Sequence, residues 1–142
     1  MLLIEERKDL FNIPSEYYLV QCISSDFAMG KGIAVQFNER LNIKNKLISK
    51  YNKNNWNNIG YCLIIDKVIN LVTKEKYWNK PTYKTLEESL IEMKEVILLK
   101  NIKKLAMPKI GCGLDKLEWV KVKNIIKNIF KDLDIEILVC YL

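Results

Sequence analysis

The sequence predicts an α/β fold in which a largely parallel sheet carries helices on both faces. Two observations predict it. Short apolar, β-prone runs alternate along the chain with segments of helical period, the order that builds parallel sheets. Several of those runs are apolar nearly throughout, as strands covered on both faces are. At 142 residues the chain suits one domain, spanning 1–142, with room for a substantial core. A hydrophobic content of 49% with 28% charged residues describes a globular protein rather than a disordered one.

LLIEE (2–6) reads as a first strand and YYLVQCIS (17–24) as a second, buried one. IAVQFNERL (33–41) reads as a helix on Ile33, Val35, Phe37 and Leu41, with Ile48 and Tyr51 on further helical turns. GYCLIID and KVINLVT (60–73) predict two adjacent strands turning tightly at Asp66–Lys67. TKEKYWNKPTY (73–83) is a polar-aromatic loop, in which Pro81 keeps Lys80 out of the α region. A capping box at Thr85 and Glu88 is expected to open the next helix. Leu86, Leu90, Met93 and Ile97 give that helix one apolar face. KKLAMPKI (103–110) predicts a strand, and Val122, Ile125, Ile126, Ile129 and Phe130 mark a last helix. IEILVCYL (135–142) closes the chain as a buried strand.

Glycine is scarce, five residues where average usage gives roughly ten. Four of the five form two G-x-G loops, MGKGIA (Gly30, Gly32) and IGCGLD (Gly111, Gly113). Each loop follows a predicted buried strand and precedes a predicted helix. That places both at the carboxyl edge of an open sheet, where ligands bind. Backbone N–H groups in such turns form anion nests, aided by a helix N-terminus behind them. Two nests on one edge suit a diphosphate held from both sides. Read alone, either loop is simply a tight strand-to-helix turn.

Histidine is absent, which excludes the Ser-His-Asp triad, the Cys-His dyad and imidazole-dependent metal sites. Cys22, Cys62, Cys112 and Cys140 lie far apart with no C-x-x-C pair, so they are expected to be reduced, buried thiols rather than zinc ligands. A net charge of +6 admits nucleic acid or an anionic small ligand as partner. The charge is spread along the chain, with NKNNWNN (52–58) the one conspicuously biased stretch, which reads most simply as solvated surface. MLLIEERKDL turns charged after four residues, unlike a signal peptide. The expectation is a cytoplasmic monomer with no membrane contact.

CISSDFAMGKGIAVQF (22–37), LVTKEKYWNKPTYKTLEESL (71–90) and MPKIGCGLDKLEW (107–119) resemble the macrodomain family, and within it the branch of terminal ADP-ribose protein glycohydrolases. The resemblance runs in order along nearly the whole chain. It implies a three-layer α/β/α sandwich around a mixed, mostly parallel sheet, with ADP-ribose over the carboxyl edge of the strands. By resemblance, Lys109, Ile110, Gly111, Cys112, Gly113 and Leu114 wrap the diphosphate and distal ribose. Ser24 and the Met29, Gly30, Lys31, Gly32, Ile33 and Ala34 loop line the same ligand, and Asp9, Leu10 and the final Leu142 lie by the adenine. The branch uses a lysine and an aspartate, matched by Lys74 and Asp115. The resemblance implies that Lys74 attacks the anomeric carbon of the distal ribose and that Asp115 resolves the lysyl-sugar intermediate as acid/base. The expected reaction is release of mono-ADP-ribose from glutamate or aspartate side chains, with O-acetyl-ADP-ribose as a further substrate, and without metal or cofactor. An amine attacks only when neutral, a form favoured by desolvation or by a nearby positive charge.

Taken without the family, Lys74 is one surface lysine among many, Asp115 caps a helix beginning near Leu117, and Cys112 fills a loop. The motif matches add little for Lys76, Tyr77, Trp78 and Tyr83, which are left to the rim. Lys8 stands where the branch has glycine before DLF, Gln21 where it has histidine, and Lys31 where it has a small residue. A sister branch that removes ADP-ribose from DNA shares GKGIA and an aromatic stretch after the lysine, but tends to carry glycine in place of Asp115. Its reaction is the first alternative, and a non-catalytic ADP-ribose reader is the second. A nicotinamide-dependent oxidoreductase is disfavoured by the missing third glycine.

Overall fold

A computed structural model describes residues 1–51 and 58–142. The biased NKNNWNN stretch lies, apart from Asn58, outside the described residues. The elements run β1 (Leu2–Arg7), β2 (Tyr18–Ser24), α1 (Ile33–Leu41), α2 (Ile43–Tyr51), β3 (Tyr61–Ile65), β4 (Val68–Lys74), α3 (Tyr83–Lys100), β5 (Lys104–Met107), α4 (Trp119–Phe130) and β6 (Glu136–Tyr141). Among the described residues the six strands form one sheet in the order β1-β6-β5-β2-β4-β3. Only the β3–β4 pair is antiparallel, the hairpin expected at Asp66–Lys67, with Asp66 at φ 52° in its turn.

Side chains alternate across this sheet into two cores, one per face. Val20, Ile69, Leu71, Leu105, Ile137 and Val139 meet α3 and α4, through Leu86, Leu90, Met93, Val122, Ile126 and Phe130. Ile23, Val68, Val72, Ala106 and Leu138 meet α1 and α2, through Ala34, Phe37, Ile43 and Leu47. This is the three-layer sandwich that the strand–helix alternation predicts.

One local expectation is corrected. The helix α3 starts a turn earlier than the T-L-E-E pattern suggests. Its N-cap is Thr82, whose hydroxyl accepts from Thr85 N–H while the Thr85 hydroxyl accepts from Thr82 N–H. A threonine at the third helical position closes the box as a glutamate would, and Pro81 just upstream keeps the chain extended up to the cap. Ile48 and Tyr51 lie on helical turns as expected, in α2, whose buried residues are Ile43 and Leu47. The helix α1 spans the expected 33–41 and buries Ala34 and Phe37, since residues three apart share a helix face.

We predict that Leu90→Ala, at a site with no solvent exposure, costs about 2–5 kcal/mol in urea denaturation. Leu99→Ala, 87% exposed on the same helix, should stay within about 0.5 kcal/mol of wild type.

Candidate functional site: a cleft between two glycine loops

The site begins where β2 and β5 part. The two strands are neighbours, but they pair only at Tyr18–Leu105 and Leu19–Ala106, the amino end of β2 and the middle of β5. Beyond that point β2 feeds α1 on one face of the sheet and β5 feeds α4 on the other. Adjacent strands whose helices leave to opposite faces open a crevice at their carboxyl ends. A cleft of about 780 Å³ lies there, lined by Ser24, by Met29 to Ala34, by Lys74 and by much of the 108–116 loop.

Lys74 is the last residue of β4 and Asp115 lies in the second glycine loop. Lys74 Nζ donates to Asp115 Oδ1 at 2.8 Å, and their side chains are only 15% and 16% exposed. Asp115 therefore does not cap a helix. The helix α4 begins at Trp119 with Glu118 as N-cap and no side-chain cap bond. The β4 end is itself fixed, because Ser25 N–H donates to Lys74 O at 2.9 Å and Ser25 Oγ to Glu75 O at 2.7 Å.

The loop glycines divide into two kinds. Gly32 and Gly111 have φ 62° and 73°, a conformation that a side chain resists. At Gly111 a Cβ would also press on Leu117 Cδ1 at 3.0 Å. Gly30 and Gly113 have no such φ, and a Cβ on either would meet nothing within 4 Å. Neither backbone nor packing demands glycine at those two positions; a side chain there would fill open space beside the cleft. That is the pattern expected where a ligand approaches the backbone closely. Phe27, Met29 and Lys116 also take positive φ, at 55°, 50° and 62°. Such conformations cost L-residues about 1–2 kcal/mol each and cluster at ligand clamps. Gly32 is the N-cap of α1, which has no side-chain cap and no acidic residue in its first turn, leaving its N-terminus suited to an anion. The second loop has no helix directly behind it, because a turn through Lys116 separates it from α4. Leu114 joins the loops: its Cδ1 lies 3.4 Å from the Cβ position of Gly32, and its carbonyl accepts from Lys80 Nζ at 2.9 Å.

Of the expected site residues, Ser24, Met29, Gly30, Lys31, Gly32, Ile33, Ala34, Lys74, Lys109, Ile110, Gly111, Gly113, Leu114 and Asp115 all line this cleft. Asp9, Leu10, Cys112 and Leu142 do not. Asp9 Oδ1 accepts from Phe11 N–H within its own turn. Leu10 is buried and lines a separate apolar cavity of about 710 Å³ with Leu19 and Val68. Cys112 packs inward, and burial pushes its thiol up to about 11, so at neutral pH it is no thiolate nucleophile. Asp9 and Leu142 flank the β6 end, where Lys8 N–H donates to Tyr141 O and Lys109 Nζ sits 5.0 Å from the Tyr141 ring centroid. The cleft adds Cys22, Ile23, Tyr77, Trp78, Lys80, Pro108 and Lys116. Cys22, Ile23 and Pro108 could have been read from their places at strand ends; Lys80 and Lys116 carry no sequence signal.

Asp26 braces the site from behind. Burial raises its carboxyl, but hydrogen bonds from Ser24 Oγ, Tyr77 N–H and Ala28 N–H outweigh that and hold it below its ordinary value. One carboxylate thus fastens the first glycine loop to the loop after Lys74.

A switch-point crevice, two glycine loops and no imidazole together define the class. Residues 20–126 match the model of the Macro domain, and the chain belongs to that family. It is 38% identical over 135 residues to ADP-ribose glycohydrolase OARD1 of Bos taurus, covering 92% of this chain and 86% of that protein. It is 31% identical over 124 residues to the DNA ADP-ribosyl glycohydrolase of Mycobacterium tuberculosis, covering 81% of this chain but 35% of that longer protein. The macrodomain of Mycobacterium tuberculosis DarG superposes with a TM-score of 0.84 at 25% identity, covering 99% and 98% of the two chains.

Two outcomes are expected from this geometry. Gly111→Ala should destabilise the fold by about 1–2 kcal/mol, while Gly113→Ala leaves the urea midpoint unchanged. The Asp26 carboxyl is lower in the folded than in the unfolded state, so its stabilisation is present above the ordinary carboxylate range and fades as pH falls through the lowered value. Urea midpoints at pH 7 and pH 3 should therefore differ more for wild type than for Asp26→Asn; equal differences would remove Asp26 from this role.

Proposed function

We propose that the chain is a glycohydrolase that releases mono-ADP-ribose from the acidic side chains of proteins. The observation that carries this reading is the Lys74–Asp115 contact of 2.8 Å, largely shielded from solvent, on the wall of the cleft between the glycine loops. The 38% identity to a protein named an ADP-ribose glycohydrolase supports it. The diphosphate lies against the backbone of Gly30 to Ala34 and Gly111 to Leu114, and the distal ribose faces Ser24 and Lys74. The adenine lies towards the β6 end, where Lys109 meets Tyr141.

The Lys74 ammonium must first give up a proton, and Asp115 is the acceptor already bonded to it. The neutral amine attacks the anomeric carbon. The N–C bond forms, the carbon–acyl oxygen bond breaks, and the protein carboxylate departs with the electron pair. Asp115 passes the proton it took from Lys74 to the departing carboxylate, then takes a proton from water as the water oxygen bonds to the anomeric carbon; the N–C bond breaks, Lys74 leaves as the amine, and Asp115 returns the proton to it. The sum is ester plus water to carboxylic acid plus ADP-ribose. No metal or cofactor enters, and O-acetyl-ADP-ribose offers the same ester chemistry.

A nucleic-acid acceptor is the second reading, favoured by the basic lining and by the Mycobacterium tuberculosis relative. A purely binding role is disfavoured, because a reader has no use for a shielded amine–carboxylate pair at the ribose.

Purified protein is expected to release ADP-ribose from glutamate-linked mono-ADP-ribosylated protein, and Lys74→Ala to release none. Asp115→Ala should slow release by about 10²–10⁴-fold and accumulate a sugar adduct on Lys74, visible by intact mass spectrometry. Binding without release demotes the chain to a reader. An Asp115→Ala protein that turns over slowly with no added mass argues against the covalent route.

A further inference from the structure

The amino edge of the sheet, opposite the cleft, carries a second cavity that the glycohydrolase reading does not use. Its floor lies where β2 and β4 begin, at the paired Leu19 and Val68, and the buried Leu10 and Ile43 line it beside them. The 10–17 segment forms one wall; the junction of α1 with α2 and the Asp66–Lys67 turn form the others. The helix α1 runs between the two sites, with Gly32 before its start in the cleft and Arg40 to Asn42 at its end beside this cavity. At about 710 Å³ the space falls within the roughly 300–1,000 Å³ of small-molecule sites, whose walls are mostly apolar with a few polar groups that fix orientation.

The rim decides what fits. Arg40, Lys46 and Lys67 stand there with a single carboxylate, Asp66. Lys46 Nζ is paired with Asp66 Oδ2 at 2.8 Å, and Lys67 Nζ donates to Ser15 O. Of the three cations, Arg40 alone has no partner oxygen among the described residues. Its guanidinium is nevertheless held in place. It lies over Phe11, 4.9 Å from the ring centroid, and the Phe11 ring meets that of the fully buried Phe37 edge to face at 4.9 Å. A guanidinium over an aromatic face keeps its edge N–H groups for another partner, and that planar fork matches a carboxylate bidentately. An apolar cavity with one open guanidinium at its mouth is complementary to a molecule with an apolar body and one negative end. Inorganic phosphate would answer the fork and leave the floor exposed to water. A neutral hydrocarbon would fill the floor and leave the fork unmet.

We infer that this cavity is a second ligand site, for a small amphipathic monocarboxylate whose chain lies on Leu10, Leu19, Ile43 and Val68 and whose carboxylate meets Arg40. The site belongs to the opposite edge of the sheet from Lys74 and Asp115, so it stands or falls independently of the glycohydrolase reading.

Octanoate is the probe, with octanol as its neutral counterpart. Titrated into isotope-labelled wild type and followed by NMR, octanoate should bind saturably, one to one, with amide shifts concentrated at 10–19, 40–43 and 66–68. Octanol should bind about 10-fold more weakly, the loss expected for a charge-assisted hydrogen bond, and inorganic phosphate should not displace octanoate. Arg40→Gln should lower octanoate to the octanol level while keeping the wild-type urea midpoint, because Arg40 is exposed. Ile13→Trp, which puts an indole into the space, should abolish binding of both. Octanoate shifts confined to the cleft, octanol binding as tightly as octanoate, or octanoate binding unaltered in Arg40→Gln overturns the assignment. A lack of saturable binding overturns it too. So does a wild-type dimer in sedimentation that Ile13→Trp dissociates, which would give the cavity to a second copy of this chain.

Discussion

The contact between Lys74 and Asp115 is the constraint around which the rest of the site is arranged. It joins the end of a central strand to a loop 41 residues away in the chain. Taking an ammonium and a carboxylate largely out of water has a desolvation cost that their mutual attraction roughly offsets. The pair is therefore not there chiefly for stability. What it secures is position: the amine cannot drift while Asp115 and the β4 end hold it, and the loop carrying Asp115 cannot swing away from the strand.

The backbone strain falls in the same place. Of the positive-φ residues other than glycine, Asn42 and Asn101 follow helices α1 and α3, and Asp66 turns the β3–β4 hairpin. Those have ordinary structural reasons. Phe27, Met29 and Lys116 do not, and they belong to the loops around the cleft. Phe27 is fully buried and anchors its loop from below, so packing energy from the second core offsets a conformation that the loop adopts on the ligand's side. Asp26, next to it, extends the same bracing to the rim. The cleft is thus shaped before any ligand arrives, which lowers the ordering cost of binding.

Much of the fold was legible because its signals are local. The spacing of Leu86, Leu90, Met93 and Ile97 fixes one helix face, and the apolar runs at 17–24, 60–73 and 135–142 fix strands whatever surrounds them. The start of α3 was less so, since Thr82 and Thr85 are both plausible caps by residue type. Thr82 wins because Pro81 sets the entry of the chain and Thr85 can answer it from within the first turn. In the site, the glycine loops were visible from composition alone. The Lys74–Asp115 contact was not, because no rule of spacing links residues so far apart; the family resemblance supplied the pair and the structure supplied the distance. The placement of Leu10 away from the cleft depends on how the 8–17 segment packs against α1, which no periodicity records.

Both relatives are named as glycohydrolases of ADP-ribose or ADP-ribosyl groups, and one of the two names specifies DNA as the acceptor. The sugar-side chemistry can stay constant while the rim changes, and everything turns on whether the paired amine meets the anomeric carbon. A crystal structure of the Lys74→Ala protein with ADP-ribose measures this: superposing the native Lys74 side chain should place its Nζ about 3–3.5 Å from that carbon, with the diphosphate on the Gly30–Gly32 and Gly111–Gly113 backbone. A distal ribose lying outside that reach, with the diphosphate away from both loops, would contradict the account.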